Sequence, residues 1–175
     1  LKAAAPERLA RLSVPYLRQH EWLSKPSSAD MAFLERVIPV GGASVDRLEQ
    51  IPARLKFLFA YSATRALEDP NVRAEALASR SVIDALAEEL RAEDRLLDKD
   101  AFRAAATRVR ERTGQKGKAL FHPIRLVLTG EPEGLELDLA VPAIEAGASL
   151  QASGITPIVG AAERAREFAS ALSRS

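Results

Sequence analysis

A chain of 175 residues, 47% of them hydrophobic, can fill one core or two small ones without help from disulfides or metals. Its 25 basic and 24 acidic residues nearly cancel, so the molecule as a whole exerts little pull on nucleic acid and any binding face has to be local. Cysteine is absent, which excludes disulfides, thiol catalysis and sulfur-ligated zinc; His20 and His122 are too far apart in sequence for a ligand spacing, so no metal site is expected.

No stretch approaches the ~20 consecutive apolar residues of a membrane span, and no basic-then-apolar leader precedes the first helix. A cytoplasmic monomer with no membrane partner is expected. The chain begins Leu1-Lys2-Ala3-Ala4-Ala5 without a methionine and reads as the inside of a larger protein.

Pro6 suits the first turn of a helix that Leu9, Leu12, Val14 and Leu17 carry toward Trp22, with Pro15 expected to interrupt it. Ser27 or Ser28 can cap a second helix, whose stripe of Met31, Leu34, Val37 and Ile38 is expected to end at Pro39. Beyond Gly41-Gly42, the stretch Asp46 to Pro52 predicts one or two helical turns. Phe57, Leu58 and Phe59 are adjacent and cannot share a face, which predicts a helix packed on two sides. Asp69-Pro70-Asn71 is the best internal boundary, giving helical units 1–69 and 70–175. Val82, Ile83, Leu86 and Leu90 then recur with a period near 3.6, leaving Asp84, Glu88, Glu89, Glu93 and Asp94 as a solvated acidic face. Asp98 should cap the next helix, with Phe102, Ala105, Ala106 and Val109 inward, Arg103, Arg108, Arg110 and Arg112 outward, and Gly114 as its stop.

From Ile124 to Pro142 the pattern points to a hairpin. Leu135-Glu136-Leu137-Asp138-Leu139 alternates with period two, and Leu126-Val127-Leu128 reads as the opposing arm. Thr156-Pro157 is expected to start a closing helix carrying Ile158, Ala162, Ala165, Phe168 and Leu172.

Catalytic chemistry finds little footing. Neither histidine lies beside a candidate nucleophile, carboxylates such as Glu88 and Glu89 sit among other acids, and Lys118 is not followed by Ser or Thr as a phosphate loop requires. No catalytic residue is assigned. Nucleic-acid binding fares better locally: residues 101–129 hold Arg103, Arg108, Arg110, Arg112, Lys116, Lys118 and Arg125 against the one acid Glu111. Such segregation makes one face attractive to phosphates, unless the arginines pair with acids across the fold.

Within that segment, Gly114-Gln115-Lys116-Gly117-Lys118 is followed by His122-Pro123-Ile124-Arg125-Leu126-Val127-Leu128-Thr129-Gly130. An Arg within an apolar run is costly to bury unless a partner meets its guanidinium. This run resembles the Pro-Leu-Arg-x-Ala-Leu-Thr-Gly signature in the anticodon-binding half of bacterial glutamyl-tRNA synthetases. Asp46-Arg47-Leu48-Glu49-Gln50-Ile51-Pro52 and the opening Pro6-Glu7-Arg8-Leu9-Ala10 are similar to that family as well.

The resemblance implies an all-α fold of two small helical subdomains, with helices rather than a hairpin on both sides of the loop after Gly130. It implies tRNA(Glu) as partner, with Arg125 toward anticodon bases and Thr129, Glu133, Gly134 and Leu135 on the base-contacting loop; the local charge and the flanking glycines separately point Lys116 and Lys118 toward phosphates. Neither ATP signature of the family's catalytic half occurs, so no cofactor is expected in this chain, and ATP with Mg would belong to a separate catalytic domain. Where members that discriminate between tRNAs carry an arginine, two residues before Asp46, this chain has Ser44, too short to check the third anticodon base; tRNA(Gln) becomes a second expected partner. A helical protein-interaction module carrying a similar loop is the alternative.

Overall fold

The computed structural model describes residues 3–91, 95–151 and 154–175. Among these the fold is all-α: helices α1 (Pro6–Gln19), α2 (Ser28–Gly42), α3 (Ile51–Phe59), α4 (Ala63–Ala66), α5 (Pro70–Ala78), α6 (Arg80–Glu89), α7 (Lys99–Thr113), α8 (Lys118–Thr129), α9 (Leu137–Ala148) and α10 (Ala161–Ser173), with a 3-10 turn at Leu48–Gln50 leading into α3. Extended pairing among the described residues is confined to one antiparallel bridge between Leu23 and Ile155. The alternation at 135–139 is overridden because Leu137 and Val141, one helical turn apart, reach one buried cluster while Ala140 and Ile144 reach another.

Two apolar clusters organise the molecule. The first gathers α1 to α3 around Leu17, Leu34, Ile38, Ile51, Leu55 and Leu58; the second gathers α4 to α8 and α10 around Ile83, Leu86, Val109, Ile124, Val127 and Phe168. Helix α9 lies between them and buries a different face in each. Ile155 and Ile158, late in the chain, return to the first cluster.

Capping follows the sequence at several ends. Ser27 and Asp30 form a reciprocal capping box on α2, Asp98 accepts from the Ala101 N–H at 2.8 Å, and Gly114 ends α7 in the left-handed conformation (φ 72°). Phe57, Leu58 and Phe59 are all buried in α3.

Three expectations are corrected. Pro15 and Pro39 do not end their helices: α1 runs on to Gln19 and α2 to Gly42, because each proline removes a single backbone bond while buried Leu17 and Gly41–Gly42 beyond them keep packing. Thr156-Pro157 starts no helix. The Thr156 N–H bonds to the Trp22 carbonyl at 2.9 Å and α10 begins at Ala161, so Ala161 faces inward and Ala162 outward. The acidic face of α6 is not simply solvated, since Glu88 and Glu89 meet Arg112 and Arg108 of α7. Glu93 and Asp94 lie outside the described residues.

Candidate nucleic-acid interface

Helix α8 presents His122, Arg125 and Thr129 at spacings of three and four, and so along one face. That face clamps the loop that follows it. The Thr129 hydroxyl donates to the Arg125 carbonyl at 2.8 Å and accepts from the Glu131 N–H at 3.2 Å; Arg125 Nη1 donates to the Leu135 carbonyl at 2.8 Å; and His122 Nε2 lies 3.1 Å from the Pro132 carbonyl. Through Nδ1 the same ring meets the Glu75 carboxylate of α5. Gly130 makes the sharp exit from α8 possible: its φ is 72°, and its N–H bonds back to the Leu126 carbonyl at 2.9 Å.

The half-buried Arg125 thus finds its partner in a backbone carbonyl. Partial burial holds the Arg125 guanidinium below its ordinary pKa, and burial raises the carboxyl of Glu131. Arg125, Thr129, Glu133, Gly134 and Leu135, all expected from the sequence, line one cavity of about 120 Å³ together with Ala53, Arg54 and Phe57 of α3. Within this group Thr129 is only 5% exposed, so it shapes the loop from beneath instead of facing outward. Ser44, Lys116 and Lys118 are exposed but do not line that cavity; Ser44 follows α2, and the two lysines flank Gly117 at the start of α8.

A continuous basic face over 101–129 does not form. Arg103 makes a two-pronged contact with Asp138, Arg108 Nε bonds to Glu89 at 2.7 Å, and Arg112 bridges Glu88 and Glu89. The hydrogen bond from Arg108 holds the Glu89 carboxyl below its ordinary value, as that from Arg103 does for Asp138. Arg110, Lys116 and Lys118 are exposed, with no acidic partner among the described residues. The acids that neutralise the arginines lie 19 to 35 residues away in sequence, which charge counting over a window does not see.

Sequence reasoning missed His122 with Glu75, Arg54, and above all Arg164. The Arg164 side chain is wholly buried, and it donates to the carbonyls of Phe57 (2.7 Å), Leu58 (3.2 Å), Leu128 (2.9 Å) and Val159 (2.6 Å). These carbonyls include the C-terminal ends of α3 and α8, the negative poles of two helices, and the guanidinium also stacks 4.4 Å from the centre of the Tyr61 ring. Burial pushes its pKa down to about 10. Arg164 therefore ties together the two helices that wall the loop.

Among the described residues no group of three or more His, Asp or Glu is placed to hold a metal ion. No helix there is long and apolar enough to cross a membrane.

The Anticodon binding domain family matches residues 8–151, most of the chain and all of the clamped loop. The chain belongs to that family. It is 28% identical to the glutamate–tRNA ligase of Desulforamulus reducens over 145 residues, 82% of this chain and 30% of that protein. With the glutamate–tRNA ligase of Listeria innocua it shares 34% identity over 136 residues, 76% of this chain and 27% of that protein. A shorter stretch of 48 residues is 50% identical to the enzyme named likewise in a Sulfurihydrogenibium species. The chain spans about a third or less of the length of these relatives, and it is homologous to their C-terminal regions.

Proposed function

We propose that this chain grips the anticodon loop of tRNA(Glu) as the recognition portion of a glutamate–tRNA ligase. The observation that carries the reading is the loop from Thr129 to Leu135, fixed by three side chains of one helix face, in a family defined by anticodon binding. Unpaired bases expose their edges only when splayed from a single strand, and a loop with a fixed backbone meets them at low entropic cost. Glu133 and Gly134 are exposed and Leu135 half-exposed at its crest, while Lys116 and Lys118 supply charge for the phosphates. Exposed large apolar side chains such as Leu12, Leu77 and Leu139 sit on α1, α5 and α9, so nothing specific favours the protein-interaction alternative.

Ser44 bears on which tRNA is taken. A serine cannot project a guanidinium to the third anticodon base, so tRNA(Glu) and tRNA(Gln) should bind alike, and Ser44→Arg should create a preference for tRNA(Glu). Affinities of the unmodified chain for the two tRNAs test this. A preference of ~100-fold, equal to about 2.7 kcal/mol, would place discrimination elsewhere. Adenylate formation, with its ATP and Mg, is assigned to a separate domain in a cytoplasmic enzyme; turnover in a glutamate-dependent pyrophosphate-exchange assay of this chain alone would refute that assignment.

A further inference from the structure

Arg125 also lines a larger cavity, about 560 Å³, walled by α7, α8 and the start of α9. Its size falls within the roughly 300–1,000 Å³ of small-ligand pockets. Phe121 forms one wall and is 42% exposed, an aromatic ring left facing solvent when most large apolar side chains of the chain are buried. Lys118, Phe121 and Arg125 follow one another at spacings of three and four, so the ring sits between two cations on a single stripe of α8. Arg103, held by Asp138, forms the far wall, and Arg125 lines this cavity and the smaller one alike. The clamped loop and the open ring therefore share one residue, Arg125.

We infer that Phe121 is a stacking platform for one unpaired nucleobase, seated in the cavity between α7 and α8 with its backbone phosphate against Lys118. An aromatic face between two cations suits a base and its phosphodiester better than an apolar side chain of a protein, for which the flanking charges would have to be desolvated. Stacking accepts any base, so this platform adds affinity and orientation while the loop at 129–135 supplies the choice. The inference rests on the reading of the chain as an anticodon-loop binder, and places a second nucleotide beside the first.

The test uses the full chain and a 5′-fluorescein-labelled RNA stem-loop bearing the glutamate anticodon, with 2-aminopurine placed in turn at each loop position. Phe121 is exposed, so Phe121→Leu and Phe121→Tyr should fold. Phe121→Leu should weaken binding about ten-fold, or 1.4 kcal/mol, and abolish the fluorescence quenching of one 2-aminopurine position. Phe121→Tyr should restore both, and the salt dependence of binding should be unchanged in either variant. Phe121→Leu that binds and quenches as the unmodified chain does, while Lys116→Ala/Lys118→Ala still weakens binding, would overturn the platform and leave the anticodon reading standing. An unmodified chain that binds no stem-loop would overturn both.

Discussion

Arg164 is readable in the sequence as an exception to a pattern, and His122 is not. Arg164 stands at the inward position of α10, between Ala161 and Phe168, where an apolar residue is due. A charge there signals a buried partner, which turns out to be four carbonyls. Its removal leaves these carbonyls dry and unbonded, so Arg164→Met should lower stability by at least about 3 kcal/mol, read from the midpoint of urea denaturation. A loss below about 1 kcal/mol would mean that water or rearrangement replaces it. His122 offered no such signal, because its spacing to Arg125 and Thr129 has meaning only once the segment is known to be helical. His122→Ala should cost the loop about one hydrogen bond, ~1 kcal/mol, and quicken amide exchange at Glu133 to Leu135 about five-fold while exchange in α6 stays unchanged.

Helix ends were legible, and helix continuations less so. Ser27, Asp98 and Gly114 mark their ends through local chemistry that needs no tertiary context. Pro15, Pro39 and the alternation at 135–139 misled because packing beyond them outweighs a local preference worth a few kcal/mol at most. Pairing between α6 and α7 and between α7 and α9 belongs to the same scale. Glu89 and Asp138 have folded pKa values below their ordinary 4.5 and 3.8, first through hydrogen bonds from Arg108 and Arg103. A depressed acid contributes stability that is fully present above its unfolded pKa and is lost as pH falls through the folded one. Thermal stability should accordingly decline on acidification below about pH 4.5, and Arg108→Met should flatten that decline. Identical pH profiles for the two chains would show that the ion pair adds nothing in solution.

Across the whole molecule, net charge near zero conceals a face that is less basic than its own sequence suggests. With Arg103, Arg108 and Arg112 engaged by acids, Arg110, Lys116, Lys118 and Arg125 remain as the cations of that stretch nearest to available. At about 0.7 per phosphate for a single strand, the slope of log affinity against log salt should not exceed about 3 in magnitude, and Lys116→Ala/Lys118→Ala should reduce it by about 1.4. A slope well above that would require a basic surface elsewhere. The resemblance carried what periodicity could not, namely helices on both sides of the loop; what stayed hidden was the set of long-range partners, Asp138 for Arg103, Glu75 for His122 and Phe57 for Arg164.

If the clamped loop reads an anticodon, binding must depend both on the sequence of the RNA loop and on Arg125. Fluorescence anisotropy would compare a stem-loop bearing the glutamate anticodon with the same stem closed by an unrelated loop, for the unmodified chain and for Arg125→Gln. The unmodified chain should prefer the anticodon loop by about ten-fold or more, and Arg125→Gln should lose about 1 to 3 kcal/mol on that RNA and little on the other. Equal affinity for the two RNAs, undisturbed by Arg125→Gln, would contradict the account.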